Sequence, residues 1–409
     1  MPYRELDLNL TEEQIEMRDL ARRFGAEVMR PVGIELDNLH DPAEVIAEGS
    51  PLWKAFRQYR ELGLHKQALP KAVGGMAEDV DPLSALLIAE EMGYADAGLA
   101  ISLGVASMPF AACSLSPDPE LQQLARDFCA DTSTNLIGCW GVIEPDHGTD
   151  WVLSNTEAGE DTSIVPSVRA IKQGDEYIIN GQKAAWVSNG TIASHCSLHV
   201  SVDPSRGMRG TGLAIVPLDL PGVTRGKPLN KIGQRPLNQG EIFFEDVKIP
   251  ASFMLVSDPA LLEMGAEAGL ARVNGGMGIM FAGLARAAFD EAYRYSKERI
   301  QSGRPIFDHQ NIKLKLFKMY KMVESARSLA RRTALHNAVS LAPAAPPAVA
   351  SKVLSTETAF EVASEAIQIF GGNGLSKEYC IEKIFRDARA SMIEDGVNES
   401  LALAAMEYL

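Results

Sequence analysis

The sequence predicts an α+β protein built from three consecutive parts: helical, then β, then helical again. Three observations carry this reading. Apolar residues recur at helical spacing up to about residue 135, lose that period between about 136 and 250, and regain it from about 255 to the end. Within the middle stretch, short β-branched and aromatic runs alternate with Gly, Pro, Asn and Asp, as strands alternate with turns. A chain of 409 residues also exceeds what one core usually fills, so a division into 1–135, 136–250 and 251–409 is expected.

The first helix is announced by Thr11-Glu12-Glu13-Gln14, the spacing of a capping box, in which hydroxyl and amide side chains satisfy exposed backbone N–H groups. Met17, Leu20, Phe24 and Val28 then follow as one apolar stripe. Residues 83–106 are apolar enough for a buried helix or two, interrupted near Gly93 and Gly98. In the middle part, 176–180, 197–202, 212–218 and 241–249 read as strands. The segment 180–190 opens and closes on Asn-Gly, a strong turn signal. In the last part Leu316, Met319, Val323, Ala326 and Ala330 form a long seam, and the proline-rich 343–347 separates it from a helix beginning near Val349. Helices of roughly 20 to 25 residues there favour a bundle.

Composition excludes several classes. Asp and Glu (54) outnumber Lys and Arg (39), a net charge of −15 that opposes nonspecific nucleic-acid binding. The five cysteines are scattered without a CxxC pair, so neither a zinc site nor a disulfide framework is indicated, and free thiols fit a reducing compartment. The N-terminus is polar and acidic, unlike a leader, and the apolar stretch 339–350 is too short and proline-rich to span a membrane. The expectation is a soluble cytoplasmic protein. No GxxxxGK[ST], HExxH or GxSxG occurs. Among seven histidines only His195 and His199 have a spacing that shares a strand face, and no acidic residue stands beside them, so no metal site is expected.

Four segments hold candidate chemistry. In 138–150, GCWGVIEPDHGTD, a strand runs into a Pro/Gly turn whose amides can face an anion or the polar edge of a ring. In 180–190, Trp186 and Ser188 fall on one strand face, suiting a planar aromatic ligand. In 298–310, ERIQSGRPIFDHQ, Arg299 is a candidate for a forked phosphate contact. In 366–396, Gly371-Gly372-Asn373-Gly374 precedes a basic helix and the acidic pair Glu394-Asp395. Each alone is equally a loop, a core residue or a solvated helix end.

Together, the order and separation of IEPDHGTD (143–150), GDEYIINGQKAAWVSNG (174–190), ER-Q-GRPIFDHQ (298–310), QIFGGNG (368–374) and FRDARASMIEDG (385–396) resemble the acyl-CoA dehydrogenases over nearly the whole chain. The resemblance implies an all-α N-terminal domain, a middle β-barrel or sandwich domain and a C-terminal four-helix bundle. It also implies noncovalent FAD at a subunit interface, a homotetramer or homodimer, an acyl-CoA substrate, and an electron-transferring flavoprotein as acceptor. Carried over by residue, Asp395 falls at the catalytic base, and its amide helps hold the thioester oxygen. Trp186 and Ser188 border the flavin, with Ile143 at a further flavin-facing position and Thr149 between flavin and the CoA portion. Arg299, Gln310, Gln368, Gly371 and Gly372 meet the adenosine-diphosphate end of an FAD bound mainly by a neighbouring subunit, Val397 stands at a phosphate-contacting position, and Arg272 fits a CoA-contacting arginine.

Departures from the family pattern are equally specific. The base is Asp395 rather than Glu, the Tyr before it is Glu394, and Thr is replaced by Ile143 and by Val397. Ser302 replaces a Phe, one extra alanine stands between Lys183 and Trp186, and Ala271 leaves the family's alternative base position without an acid. The short Asp side chain suggests a cyclic, branched or otherwise unusual acyl group brought closer to it. Glu394 is the competing base. A flavoprotein lyase on the same scaffold and a noncatalytic relative are the alternative readings; the acid at 395 opposes the first and the −15 charge the second.

Overall fold

A computed structural model describes residues 5–7 and 9–409, with Ala158 described by its backbone alone. Residues 1–4 and Leu8, part of the polar N-terminus read above, lie outside the described residues. The helical, β, helical order holds. The first part comprises α1 (Glu12–Phe24), α2 (Arg30–Asn38), α3 (Pro42–Val45), α4 (Pro51–Glu61), α5 (Pro82–Ala95), α6 (Ala97–Val105), α7 (Met108–Cys113) and α8 (Pro119–Ala130). Thr11 and Gln14 form the reciprocal capping box of α1, with bonds of 3.2 and 3.0 Å. A π-helical turn at Gly25–Met29 rotates the buried stripe, so Ala21, Phe24, Val28 and Met29 enter the core while Met17 and Leu20 remain partly covered.

The break between α5 and α6 falls at Asp96, not at a glycine. Its carboxylate accepts from Leu99 N (2.9 Å), capping α6, and from buried Lys383 Nζ (2.6 Å). Gly93 instead permits close packing: a Cβ there would stand 2.1 Å from the Met280 carbonyl.

The middle part contains β1 (Gly138–Gly141), β2 (Arg169–Gln173), β3 (Glu176–Ser188), β4 (His195–Ser201), β5 (Thr211–Pro217), β6 (Val223–Arg225), β7 (Gln239–Pro250) and β8 (Met254–Val256). They form one mixed sheet in two halves, β6-β7-β3-β2 and β1-β4-β5-β8, joined at the single pair Arg169↔Ser201. Asn180-Gly181 is not the turn its sequence suggested. β3 continues through it, because the apolar residues on either side stay paired with β7 and the mismatch is absorbed as a bulge. Gly181 takes φ 132°, and Asn180 instead bonds Asp246 across the ladder (3.0 and 2.8 Å). Asn189-Gly190 does turn, with Asn189 at φ 61° and its buried amide donating to Ser102 O (2.8 Å).

The last part contains α9 (Pro259–Glu298), a small hairpin of β9 (Ile300–Gln301) and β10 (Arg304–Pro305), α10 (Gln310–Val339), α11 (Ala345–Phe370), α12 (Ile381–Ser391) and α13 (Asn398–Met406). At 40, 30 and 26 residues, α9, α10 and α11 outrun the expected length. The predicted seam from Leu316 to Ala330 is buried throughout. One apolar cluster joins α9, α10, α11 and α12 with α6, which ties the bundle to the N-terminal helices.

Candidate active site

The loop between α12 and α13 is the sharpest feature of the bundle. Asp395 adopts φ 53° and Gly396 φ 104°, backbone conformations that need outside support at a non-glycine residue. That support is Lys352 on α11. It is completely buried, and its Nζ donates to Gly396 O (2.9 Å) and Asn398 Oδ1 (2.8 Å), clamping the loop.

Asp395 lines an elongated cavity of about 280 Å³. One wall is the first stretch of α9, from Pro259 to Asn274, a rise of about 22 Å at 1.5 Å per residue. The opposite wall is Trp140 and Val142 of the β part together with the turn carrying Trp151 and Val152. Burial pushes the Asp395 carboxyl above its ordinary range, and the Lys352 charge pulls it partly back.

Glu394 is not among the cavity residues. Its Oε1 accepts from Gln234 Nε2 (2.7 Å). Burial first, and then the Asp395 charge, push its carboxyl up to about 7 against the opposing effects of Gln234, Lys231 and Lys352. Lys231, brought down to about 8 by burial, donates to Leu237 O and Gln239 Oε1, both at 2.7 Å. Gln239 Nε2 in turn reaches Trp186 O (3.1 Å) and Ser188 Oγ (3.3 Å). Hydrogen bonds therefore run from Lys231 through Gln239 to the end of β3, and Glu394 feels this group through the Lys231 charge.

The remaining candidates fall into two groups. Trp186, Ser188, Ile143 and Thr149 lie on the β part. The extra alanine is taken up by a second bulge, since Lys183 pairs with Ile242 but Val187 with Gly240. Trp186 stands in that bulge with its side chain 54% exposed, and Ile143 offers a carbonyl that accepts from Ala184 N (2.9 Å). Thr149 opens the turn that carries Trp151. The second group surrounds the far end of α9: Arg299 follows its last residue, and Tyr295 stacks on Phe370 at 4.0 Å and bonds Asn373 (3.0 Å). That packing brings Gly371 and Gly372 to the same end as Arg299. Gln368, Gly371, Gly372 and Gln310 are exposed there, and a Cβ on either glycine would meet nothing within 4 Å. Arg272 is exposed on α9 beside the cavity residue Val273, and Val397 is the partly buried N-cap of α13.

The first group suits the ring of a flavin, with an exposed indole for a planar face and a Ser188 hydroxyl free to donate while it accepts from Gln239; the second, an open glycine turn beside Arg299, suits a phosphate. His195 and His199 are partly buried, which holds their rings neutral with values near 4 and 3, and no metal-holding cluster occurs among the described residues. No helix among them is long and apolar enough to cross a membrane.

Sequence reading missed Lys352, Gln234, Lys231 and Gln239. Lys352 alone left a signal, as the single cation between Val349 and Ala359. Lys231 and Gln234 come from a loop, and Gln239 from the start of β7, whose approach to residue 394 is purely tertiary.

Family models match the chain over residues 11–116 (acyl-CoA dehydrogenase, N-terminal domain), 139–247 (middle domain) and 266–408 (C-terminal domain). The chain is 32% identical to a short-chain specific acyl-CoA dehydrogenase of Megasphaera elsdenii, covering 96% of this chain and 97% of the relative. It is 29% identical to a cyclohex-1-ene-1-carbonyl-CoA dehydrogenase of Syntrophus aciditrophicus, covering 95% and 88%. The solved butyryl-CoA dehydrogenase of Megasphaera elsdenii superimposes with a TM-score of 0.84 at 28% identity, covering 98% and 99%.

Proposed function

The chain belongs to the acyl-CoA dehydrogenase family, oxidoreductases acting on CH–CH groups, and from that premise we propose that it removes the α-proton and β-hydrogen of an acyl-CoA thioester with Asp395 as base. One observation carries the choice of base: Asp395, and not its neighbour Glu394, lines the cavity. Glu394 is already committed to Gln234.

Asp395 takes the α-proton while its own backbone N–H polarises the thioester oxygen. FAD held by Trp186, Ser188, Ile143, Thr149 and Val397 would supply the acceptor for the β-hydrogen as hydride, while Arg299, Gln310, Gln368, Gly371 and Gly372 would meet the diphosphate end of an FAD held mainly by a neighbouring subunit. Arg272, beside the cavity, serves the CoA portion. Lys352 fixes the height of the short Asp395 side chain, and a misplacement of about 1 Å is enough to lose roughly a hundredfold in rate. Glu394 stores a proton near neutrality and so spares Asp395 a second adjacent anion. An electron-transferring flavoprotein is the proposed acceptor of the reducing equivalents, and a homotetramer or homodimer the proposed assembly. The segments 1–135, 136–250 and 251–409 are the proposed domains.

The test is anaerobic addition of a panel of acyl-CoA thioesters to the purified yellow protein. Bleaching of the flavin band by at least one thioester is expected, and its loss in Asp395→Asn. Bleaching that survives in Asp395→Asn but disappears in Glu394→Gln would transfer the role to Glu394.

A further inference from the structure

Ser188 ends β3, and its register partner across the ladder is Gln239, the first residue of β7. The Gln239 side chain is gripped at both ends, in a residue only 9% exposed. On one side its Oε1 meets Lys231 Nζ at 2.7 Å. An ammonium carries only donors, so the atom facing it is the amide oxygen. On the other side Nε2 meets Trp186 O at 3.1 Å, and a carbonyl only accepts, so the atom facing it is the amide nitrogen. The two contacts independently demand the same orientation. Ser188 Oγ, 3.3 Å from that nitrogen, is left to accept, and its own hydrogen has no acceptor among the described residues.

Lys231 is itself held in place. Its Nζ also donates to Leu237 O (2.7 Å), folding the loop before β7 back on itself. In the same loop Gly233 lies so close to α12 that a Cβ would stand 2.3 Å from Arg386 O, and Gln234 N donates to the Asp387 carboxylate. Burial first, and then Arg235, oppose the Lys231 charge, while Glu394 and Asp387 support it. With a value of about 8 the group is an ammonium at neutral pH.

Building on the reading that Ser188 faces the flavin, we propose that Gln239, oriented by Lys231, is a positioning residue that keeps the Ser188 hydroxyl a donor toward the ring. The oxidised ring presents N5 as a lone-pair acceptor, so a hydroxyl that spends its hydrogen on the protein offers that atom nothing. A reversed Gln239 amide would take that hydrogen on its oxygen. Lys231 opposes the reversal, because its ammonium would then face an NH2 group. Gln239 and Lys231 both act through Ser188.

The experiment uses the full chain loaded with FAD enriched in the heavy nitrogen isotope at N5, whose magnetic resonance moves upfield when that atom accepts a hydrogen bond. Ser188→Ala sets the reference for loss of the bond. Gln239→Glu keeps an oxygen on Lys231 but replaces the amide nitrogen by a second oxygen, so Ser188 must donate to it. The resonance is expected to move downfield as far as in Ser188→Ala. Lys231→Met frees one end of the amide and should move it part of the way, whereas Lys231→Arg, which restores the donor, should leave it at the wild-type position. In the Ser188→Ala background the same changes should add nothing. A shift that persists undiminished there overturns the proposal, because the altered charge then acts on the ring directly. Weaker FAD binding with an unmoved resonance also overturns it, reducing the two residues to a structural role. If Gln239→Glu retains no FAD, the contrast between Lys231→Met and Lys231→Arg decides. If Ser188→Ala itself leaves N5 unmoved, the placement of Ser188 at the flavin fails first and this proposal with it.

Discussion

Two carboxylate sites in this molecule, one fully buried and one half-buried, meet opposite fates. Glu90 on α5 is 1% exposed, and three guanidiniums close on it: Arg286 (2.6 Å), Arg327 (2.8 Å) and Arg331 (2.8 Å). Burial alone would raise its carboxyl, but the three arginines outweigh burial and hold it near 2. At Glu394 and Asp395 the balance reverses. The nearby cations are lysines already spent on carbonyl and amide oxygens, and Glu394 receives a neutral amide, so burial prevails and both carboxyls rise. Burial therefore does not decide what a carboxylate becomes; the number of charged donors aimed at it does. The first site fixes its charge and locks α5 to α9 and α10, whereas the second keeps protons exchangeable, the condition a base needs.

The difference can be broken at its strongest point first. Asp395→Asn is expected to lower the rate of thioester-dependent flavin reduction by about 10³-fold or more, near the full contribution of a general base, while Glu394→Gln costs less than about tenfold. Stopped-flow reduction checks both. Glu90→Gln is expected to be silent in that assay once folded, but to cost about 3–5 kcal/mol of stability, because three guanidiniums then lose a buried counter-charge. Urea unfolding reads that loss. If the losses exchange places, the division between a structural and a chemical carboxylate is wrong.

A pH series sharpens the contrast. Glu394 has a folded value near 7 against an ordinary value of 4.5, so the folded state holds its proton more tightly than the unfolded state. Its contribution to stability is complete below 4.5 and is lost as pH rises through 7, a change of about 3 kcal/mol at most at 1.36 kcal/mol per unit. Glu90 runs the other way, contributing fully above 4.5 and losing that contribution as pH falls toward 2. Glu394→Gln should flatten the alkaline decline between pH 4.5 and 7.5 and leave the acid limb in place. A decline of unchanged slope in the variant would assign it to another group.

What the sequence made legible follows from how local each signal was. The capping box of α1, the strands around Ile178 and Phe243, and the seam through Leu316 are written in neighbouring residues and took the expected form. Asn180-Gly181 misled because a pairing partner on β7 outweighed a local turn preference, and the α5–α6 break moved to Asp96 because Lys383, almost three hundred residues away, holds that carboxylate. Asp395 was found by its place in a motif. Its clamp and its cavity were not, since α9, α11 and the turn after β1 meet only in three dimensions.

The smallest expected effect is also the most discriminating. Lys352 is the cation that draws Asp395 back toward ionisation, and it is itself lowered to about 8 by burial. Lys352→Met should move the acidic limb of the kcat/KM profile upward, by up to about one pH unit, because Asp395 then ionises with no nearby positive charge. Loss of the two bonds to Gly396 and Asn398 should also lower the maximal rate, yet a loosened loop alone scales the profile without displacing it. At Glu90 the matching change, Arg286→Met, leaves two guanidiniums in place and should move no limb of the activity profile. A shifted limb in the lysine variant and an unmoved one in the arginine variant would show that one cation governs the reactive carboxylate, where three share the structural one.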